Sequence, residues 1–225
     1  VNFLLVNRST LVPDRAVELI AQAVNVQLNR DVLPAWRRLS CAVVAGKVPL
    51  PGDLRIDVVD ALDETDVLGY HSEDDKGVIS GVVGVRAVLD AGGGILAAGS
   101  SGDSVAAVVS HEVLEAKFDP NANLYADTLG ASPHGSAMAF ELCDPVQASS
   151  YYVGQVQVSN FVTPSYFDPH GPGPWDFLRR LPGPFQLEAG GYGIFRAGAQ
   201  ERAVFGGADA RPWRTHARGK LRVNR

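Results

Sequence analysis

Cysteine is scarce: Cys41 and Cys143 are the only two in 225 residues. They lie too far apart to define a disulfide framework or a redox compartment, and both read as buried thiols. Neither sits in a local signature of a cysteine nucleophile and no Gly-x-Ser-x-Gly elbow occurs, so nucleophilic serine and cysteine layouts fall away. Long apolar runs are also missing. Nothing reaches the ~18 residues of a membrane span, and the opening Val1 to Asn7 has no basic start and is too short for a signal core. The expectation is a cytoplasmic protein with no membrane partner. An excess of basic charge is absent as well: 20 Lys and Arg against 25 Asp and Glu give −5, no warrant for nucleic-acid binding by the chain as a whole. The glycines at 92–94 and 99–102 lack the Lys-Ser/Thr that completes a phosphate loop and read as hairpin and loop residues.

What is present is enough apolar material, 46% of the chain, for one large domain with an appendage. Short apolar, β-prone runs at Phe3 to Val6, Cys41 to Ala45, Leu54 to Val59, Val82 to Leu89, Met138 to Cys143 and Tyr152 to Val158 predict strands. Val17, Ile20, Val24 and Leu28 recur at helical spacing behind Pro13 and predict a first helix ending before Pro34. Asp103-Ser104 caps a second helix that Asp119-Pro120 stops near Phe118. The stretch from Pro164 to Gly191, rich in Pro, Gly and aromatics, predicts an irregular packed loop. Residues 196–225 hold eight basic side chains against Glu201 and Asp209, a local +6 that leaves −11 elsewhere. The division expected is therefore a domain over 1–195 and a basic tail over 196–225 that seeks an acidic partner.

The second helix carries the chemistry. Residues four apart share a helix face, so His111 and Glu115 project side by side, about 6 Å apart at Cβ, within reach of one metal ion. Glu112 lies about 100° round the helix from His111. In His-Glu-x-x-His helices that geometry lets two histidines hold zinc while the glutamate takes a proton from water. Here Glu115 stands where the second histidine would be, which makes the site harder and more anionic; zinc remains suitable, and another divalent cation is allowed. Asp119 continues the stripe at the helix C-terminus, against the macrodipole, a position that implies a nearby cation unless the acid forms an Asx-turn. Burying such acids without a partner costs several kcal/mol, so the face opens to a cleft or a cation compensates it. A further ligand must come from another element, and Glu141 or Asp144 can supply it. His71 is a weaker candidate beside an acidic run, and His134, His170 and His216 read as solvated.

Four segments in order resemble the zincin-like proteins of bacteria and tailed phages that carry a Ser-His-Glu-x-x-Glu-x-x-x-Asp-Pro segment. They are Leu68-Gly69-Tyr70-His71, Ser110 to Pro120, Glu141 to Val146 and Val158 to Phe167, and the similarity covers roughly residues 1–170. The resemblance implies an α+β, zincin-like fold: a twisted mixed sheet packed on a central metal-binding helix, an edge strand lining a cleft, expected at Val82 to Leu89, and an irregular C-terminal region. It implies His111 and Glu115 as zinc ligands, Glu112 as general base and Asp119 or Glu141 as a further ligand. The activity it implies is hydrolysis of a protein or peptide by a metallopeptidase or a degenerate relative. The alternative is a non-catalytic head or tail component of a virion, contacting neighbouring subunits through the same scaffold.

Overall fold

The computed structural model describes residues 2–63, 67–74 and 76–207. Its architecture is α+β, built around a mixed sheet in the order β2-β1-β3-β5-β4. Strand β1 (Phe3–Asn7) is followed by helix α1 (Asp14–Gln27), which returns the chain to β2 (Val43–Ala45), parallel to β1 on one side; β3 (Leu54–Val59) lies parallel on the other. The strict alternation in β3, with Leu54, Ile56 and Val58 buried and Arg55, Asp57 and Val59 half-buried, marks one covered face. That face is packed by α1 and by helix α4 (Val105–Phe118).

Two sequence expectations shift by a few residues. Helix α1 does not stop before Pro34; it runs through a π-helical turn, Leu28–Val32, into the short α2 (Leu33–Ala35). Pro34 falls in the opening turn of α2, directly after the π-helical turn whose Leu33 amide reaches back to the Leu28 carbonyl. Cys41, expected to be buried, is half-buried, and both thiols are free.

A larger correction concerns Val82 to Leu89. Only its first part is strand: β5 spans Ile79–Gly84, and the chain then turns into helix α3 (Val85–Asp90). Val85 and Val88 are buried one helical turn apart, so the same apolar run satisfies a strand period in its first half and a helix period in its second. Nor is β5 the edge. It lies between β3, to which it is parallel, and β4 (Gly69–Glu73), which pairs antiparallel and forms the border of the sheet.

Beyond α4 come β6 (Tyr125–Asp127) and β7 (Ala137–Ala139). The predicted strand Met138 to Cys143 therefore ends early, because Cys143 leads into a 3-10 turn at Asp144–Val146. The partial alternation over Tyr152 to Val158 is explained by a hairpin, β8 (Ser150–Val153) and β9 (Val156–Ser159), with Gly154 at φ +62° in its turn. The irregular region after Pro164 packs as expected, on a satellite core of Tyr166, Leu181 and Phe185 with Met138 and Phe195. Strands β10 (Tyr192–Ala197) and β11 (Gln200–Phe205) form a hairpin that runs across the expected 195/196 boundary. There Arg196 pairs with Glu201 and stacks 3.9 Å over the Tyr125 ring. The rest of the basic tail, 208–225, lies outside the described residues, and the acidic partner expected for it falls there too. No helix among the described residues is long and apolar enough to cross a membrane.

Candidate metal centre

Helix α4 is central: of its 14 residues only His111, Lys117 and Phe118 are not buried. Ser104 caps it, its Oγ accepting from the Ala107 amide at 3.1 Å. Ser110 locks it in place. The Ser110 hydroxyl donates to Gln27 Oε1 of α1 at 2.7 Å and accepts from the Ser159 amide of β9 at 3.0 Å, while Gln27 Nε2 donates to the Ser159 carbonyl at 2.8 Å. This closed triangle sets the rotation of α4 one residue before His111.

With that rotation, His111 and Glu115 meet as the spacing requires, Nε2 to Oε2 at 3.2 Å. The third member comes from the 3-10 turn: Asp144 Oδ1 lies 3.0 Å from the same His111 nitrogen. Glu115 also positions that turn, since its Oε1 accepts from the amides of Cys143 and Asp144 at 3.1 and 3.2 Å. The ligand atoms of His111, Glu115 and Asp144 all lie within 4.8 Å of one another. A tetrahedral ion with ~2.0 Å bonds has ligand–ligand edges of about 3.3 Å, close to the 3.2 and 3.0 Å from His111 to Glu115 and to Asp144, so the group could hold one small divalent cation. One imidazole and two carboxylates also match the oxygen and nitrogen chemistry of zinc. Tyr192 of β10 lines the same cleft, and burial, then the charges of Asp144 and Glu115, push its phenol well up.

Glu112 points to the neighbouring strand. On β4, His71 is only 5% exposed and its Nδ1 sits 3.3 Å from Glu112 Oε2, while Nε2 donates to the Asp119 carbonyl at 2.9 Å. Gly69, two residues earlier and on the same face, lets the strand approach: a Cβ there would lie 3.0 Å from Glu112 Oε1 and 3.0 Å from the Val82 carbonyl. Electrostatics follow the carboxylate excess. Burial alone would depress His71, but the hydrogen bond to Glu112 and the charges of Glu141, Glu112 and Glu115 outweigh it and lift the imidazole to about 9. Burial likewise opposes protonation of His111, and Glu115 with Asp144 overcome it to hold that ring well above its ordinary value. Asp144 is raised, by burial and then by the charge of Glu115, against the pull of His111. Burial, reinforced by the Glu115 charge, pushes the Cys143 thiol well up, as suits an inert structural cysteine.

Of the residues expected from sequence, His111 and Glu115 meet at 3.2 Å, while Glu112 turns to His71. Asp119 does not join either potential ligand group among the described residues; its two carboxylate oxygens accept from the Asn123 and Leu124 amides at 3.0 and 2.9 Å, shaping the loop after α4. Glu141 lines the cleft and is buried but lies outside both groups. Asp144 takes the third position. His71, expected to be a loop histidine, is a buried strand residue, and its polar surroundings Gly-Tyr-His-Ser-Glu gave no strand signal. Tyr192 carries no sequence signal at all, being brought in by a hairpin some 80 residues from α4. His170 is exposed as expected, His134 is half-buried with its ring 5.2 Å from that of Phe195, and His216 lies outside the described residues.

Compared with known proteins, the chain matches no family model, no curated protein and no solved structure.

Proposed function

We propose that this chain is a zincin-like, metal-dependent hydrolase of peptide bonds, with zinc as the ion its donors suit. The observation that carries the reading is the meeting in one cleft of the His111, Glu115 and Asp144 donors with the carboxylate of Glu112 beside them. The mixed sheet, with an antiparallel edge strand along the cleft and α4 packed on the sheet, supports the zincin-like part of it. An ion held by the three donors supplies Lewis-acid chemistry, polarising a carbonyl and making water more acidic. Glu112 accepts the proton of the attacking water and returns it to the departing amine. His71 fixes the orientation of that carboxylate from β4, and Tyr192 lines the cleft with Asp144.

The substrate class follows from the cleft wall. Strand β4 is the border strand of the sheet, paired with β5 among the described residues, and its Gly69, Tyr70 and His71 line the cleft. An extended peptide can add to such an edge through main-chain hydrogen bonds.

The test is Glu112→Gln. On a peptide cleaved by the zinc-loaded wild type, the variant should lose activity by about 10²–10⁴-fold while retaining the ion held by His111, Glu115 and Asp144. Undiminished cleavage refutes the base assignment. A zinc-loaded wild type that cleaves nothing in a broad peptide library leaves the centre as a metal-stabilised scaffold, the form in which a virion component would use it.

A further inference from the structure

A single ion does not account for the acidity of this cleft. His71, Glu112 and Glu115 form a second group, every member buried, whose ligand atoms all lie within 4.8 Å of one another, and it shares Glu115 with the His111, Glu115 and Asp144 group. The His71 ring is set as a ligand would be. Its Nε2 faces the Asp119 carbonyl oxygen at 2.9 Å, an atom that can only accept, so that nitrogen carries a proton. Ligating histidines commonly donate their second N–H to a carbonyl in this way, which fixes the tautomer and turns the other nitrogen to the metal. Here the other nitrogen, Nδ1, meets Glu112 Oε2 at 3.3 Å. Lone pair against carboxylate is repulsive, so the contact needs a positive charge between the two: a proton without metal, an ion with it.

Formal charge points the same way. Glu112, Glu115, Glu141 and Asp144 line one cleft and none is more than 6% exposed. With one dication on the His111 group and His71 still carrying the proton it shares with Glu112, the four carboxylates leave one negative charge in this buried space; a second dication with both histidines neutral leaves none, and uncompensated buried charge is costly. We infer that the cleft takes two divalent cations, the first on His111, Glu115 and Asp144 and the second on His71, Glu112 and Glu115, with Glu115 shared between them. For the first ion this rests on the reading given under Proposed function. For the second it adds a consequence: Glu112 is committed as a ligand when that position is filled, so the doubly loaded protein has no general base at this position.

Metal stoichiometry decides the matter without any assay of activity. The full-length chain, stripped with chelator and titrated with zinc in a calorimeter, should take up two ions, confirmed by elemental analysis after desalting. His71→Ala, checked for native circular dichroism, should take up one. Manganese-loaded wild type should give the electron paramagnetic resonance signature of a spin-coupled pair, which needs no variant to interpret. Saturation of the wild type at one ion, with an uncoupled manganese spectrum, overturns the inference and leaves the single-ion hydrolase standing. Two ions retained in folded His71→Ala put the second elsewhere and also overturn it. A wild type that binds none overturns both.

Discussion

Ser110 precedes His111, and the structure gives it a purely architectural task that a single substitution exposes. Ser110→Ala removes the hydroxyl that bonds both Gln27 Oε1 and the Ser159 amide. Ser110 and Gln27 are completely buried and Ser159 is 3% exposed, so water does not replace it. Each buried partner left unsatisfied costs about 1–3 kcal/mol, while the volume lost is one oxygen atom and opens no sizeable cavity. The expected loss is about 3 kcal/mol, equivalent to about 6–12 °C in Tm for a chain of this size. Urea unfolding of the metal-free protein should show the midpoint falling with little change in slope. Gln27→Leu removes one of the orphaned groups, so the double variant should be less destabilised than the sum of the two single variants, a coupling of about 1 kcal/mol or more. Loss of less than about 0.5 kcal/mol in Ser110→Ala, the range of ordinary surface changes, would show that the triangle does not hold α4.

Three further outcomes follow from the site. Tyr192→Phe removes the hydroxyl that lines the cleft with Asp144 and, if that hydroxyl supports the ligand, should weaken zinc binding by about 10–100-fold, read by competition with a chromogenic chelator; unchanged affinity removes Tyr192 from the centre. Zinc binding near neutral pH should release protons, because His111 is held protonated in the metal-free chain and must become neutral to ligate. Affinity therefore rises with pH, and calorimetric enthalpies should vary with the ionisation enthalpy of the buffer; no variation refutes the protonation state. The His71 imidazole, raised to about 9 in the folded chain against ~6.5 unfolded, adds stability that is fully present below about pH 6.5 and lost as pH climbs through about 9. Thermal melts of the chelated protein should decline across that window, and those of His71→Ala should decline less.

The parts of this protein that were legible in its sequence are those whose physics is local. Leu54 to Val59 is a strand to the residue because its buried and half-buried positions alternate cleanly, and α4 declared itself through its cap, its terminal Asp-Pro and the one-turn spacing of His111 and Glu115. Val82 to Leu89 misled because an apolar run satisfies two periods at once, and only Gly84, which ends the strand in extended conformation before α3, separates them. Strand β4 was silent for the opposite reason. An edge strand needs only one paired side, so Gly69 to Glu73 carries a polar sequence with no alternation to read.

The third ligand shows most clearly where local reasoning stops. Asp119 lies on the metal stripe of α4, and an acid at a helix C-terminus does require compensation. The compensation turned out to be two amides of the following loop, Asn123 and Leu124, so the carboxylate is spent on the chain's own turn. Asp144 has no such local use. The turn that carries it is fastened by Glu115, which accepts the Cys143 and Asp144 amides with one oxygen and meets His111 with the other. A histidine in the Glu115 position has no carboxylate oxygen to take both amides while also facing His111, and so would leave this turn without its anchor. The carboxylate at 115, where a His-Glu-x-x-His helix has its second histidine, is therefore tied to the place of Asp144: the residue that faces His111 is also the one that brings Asp144 to it.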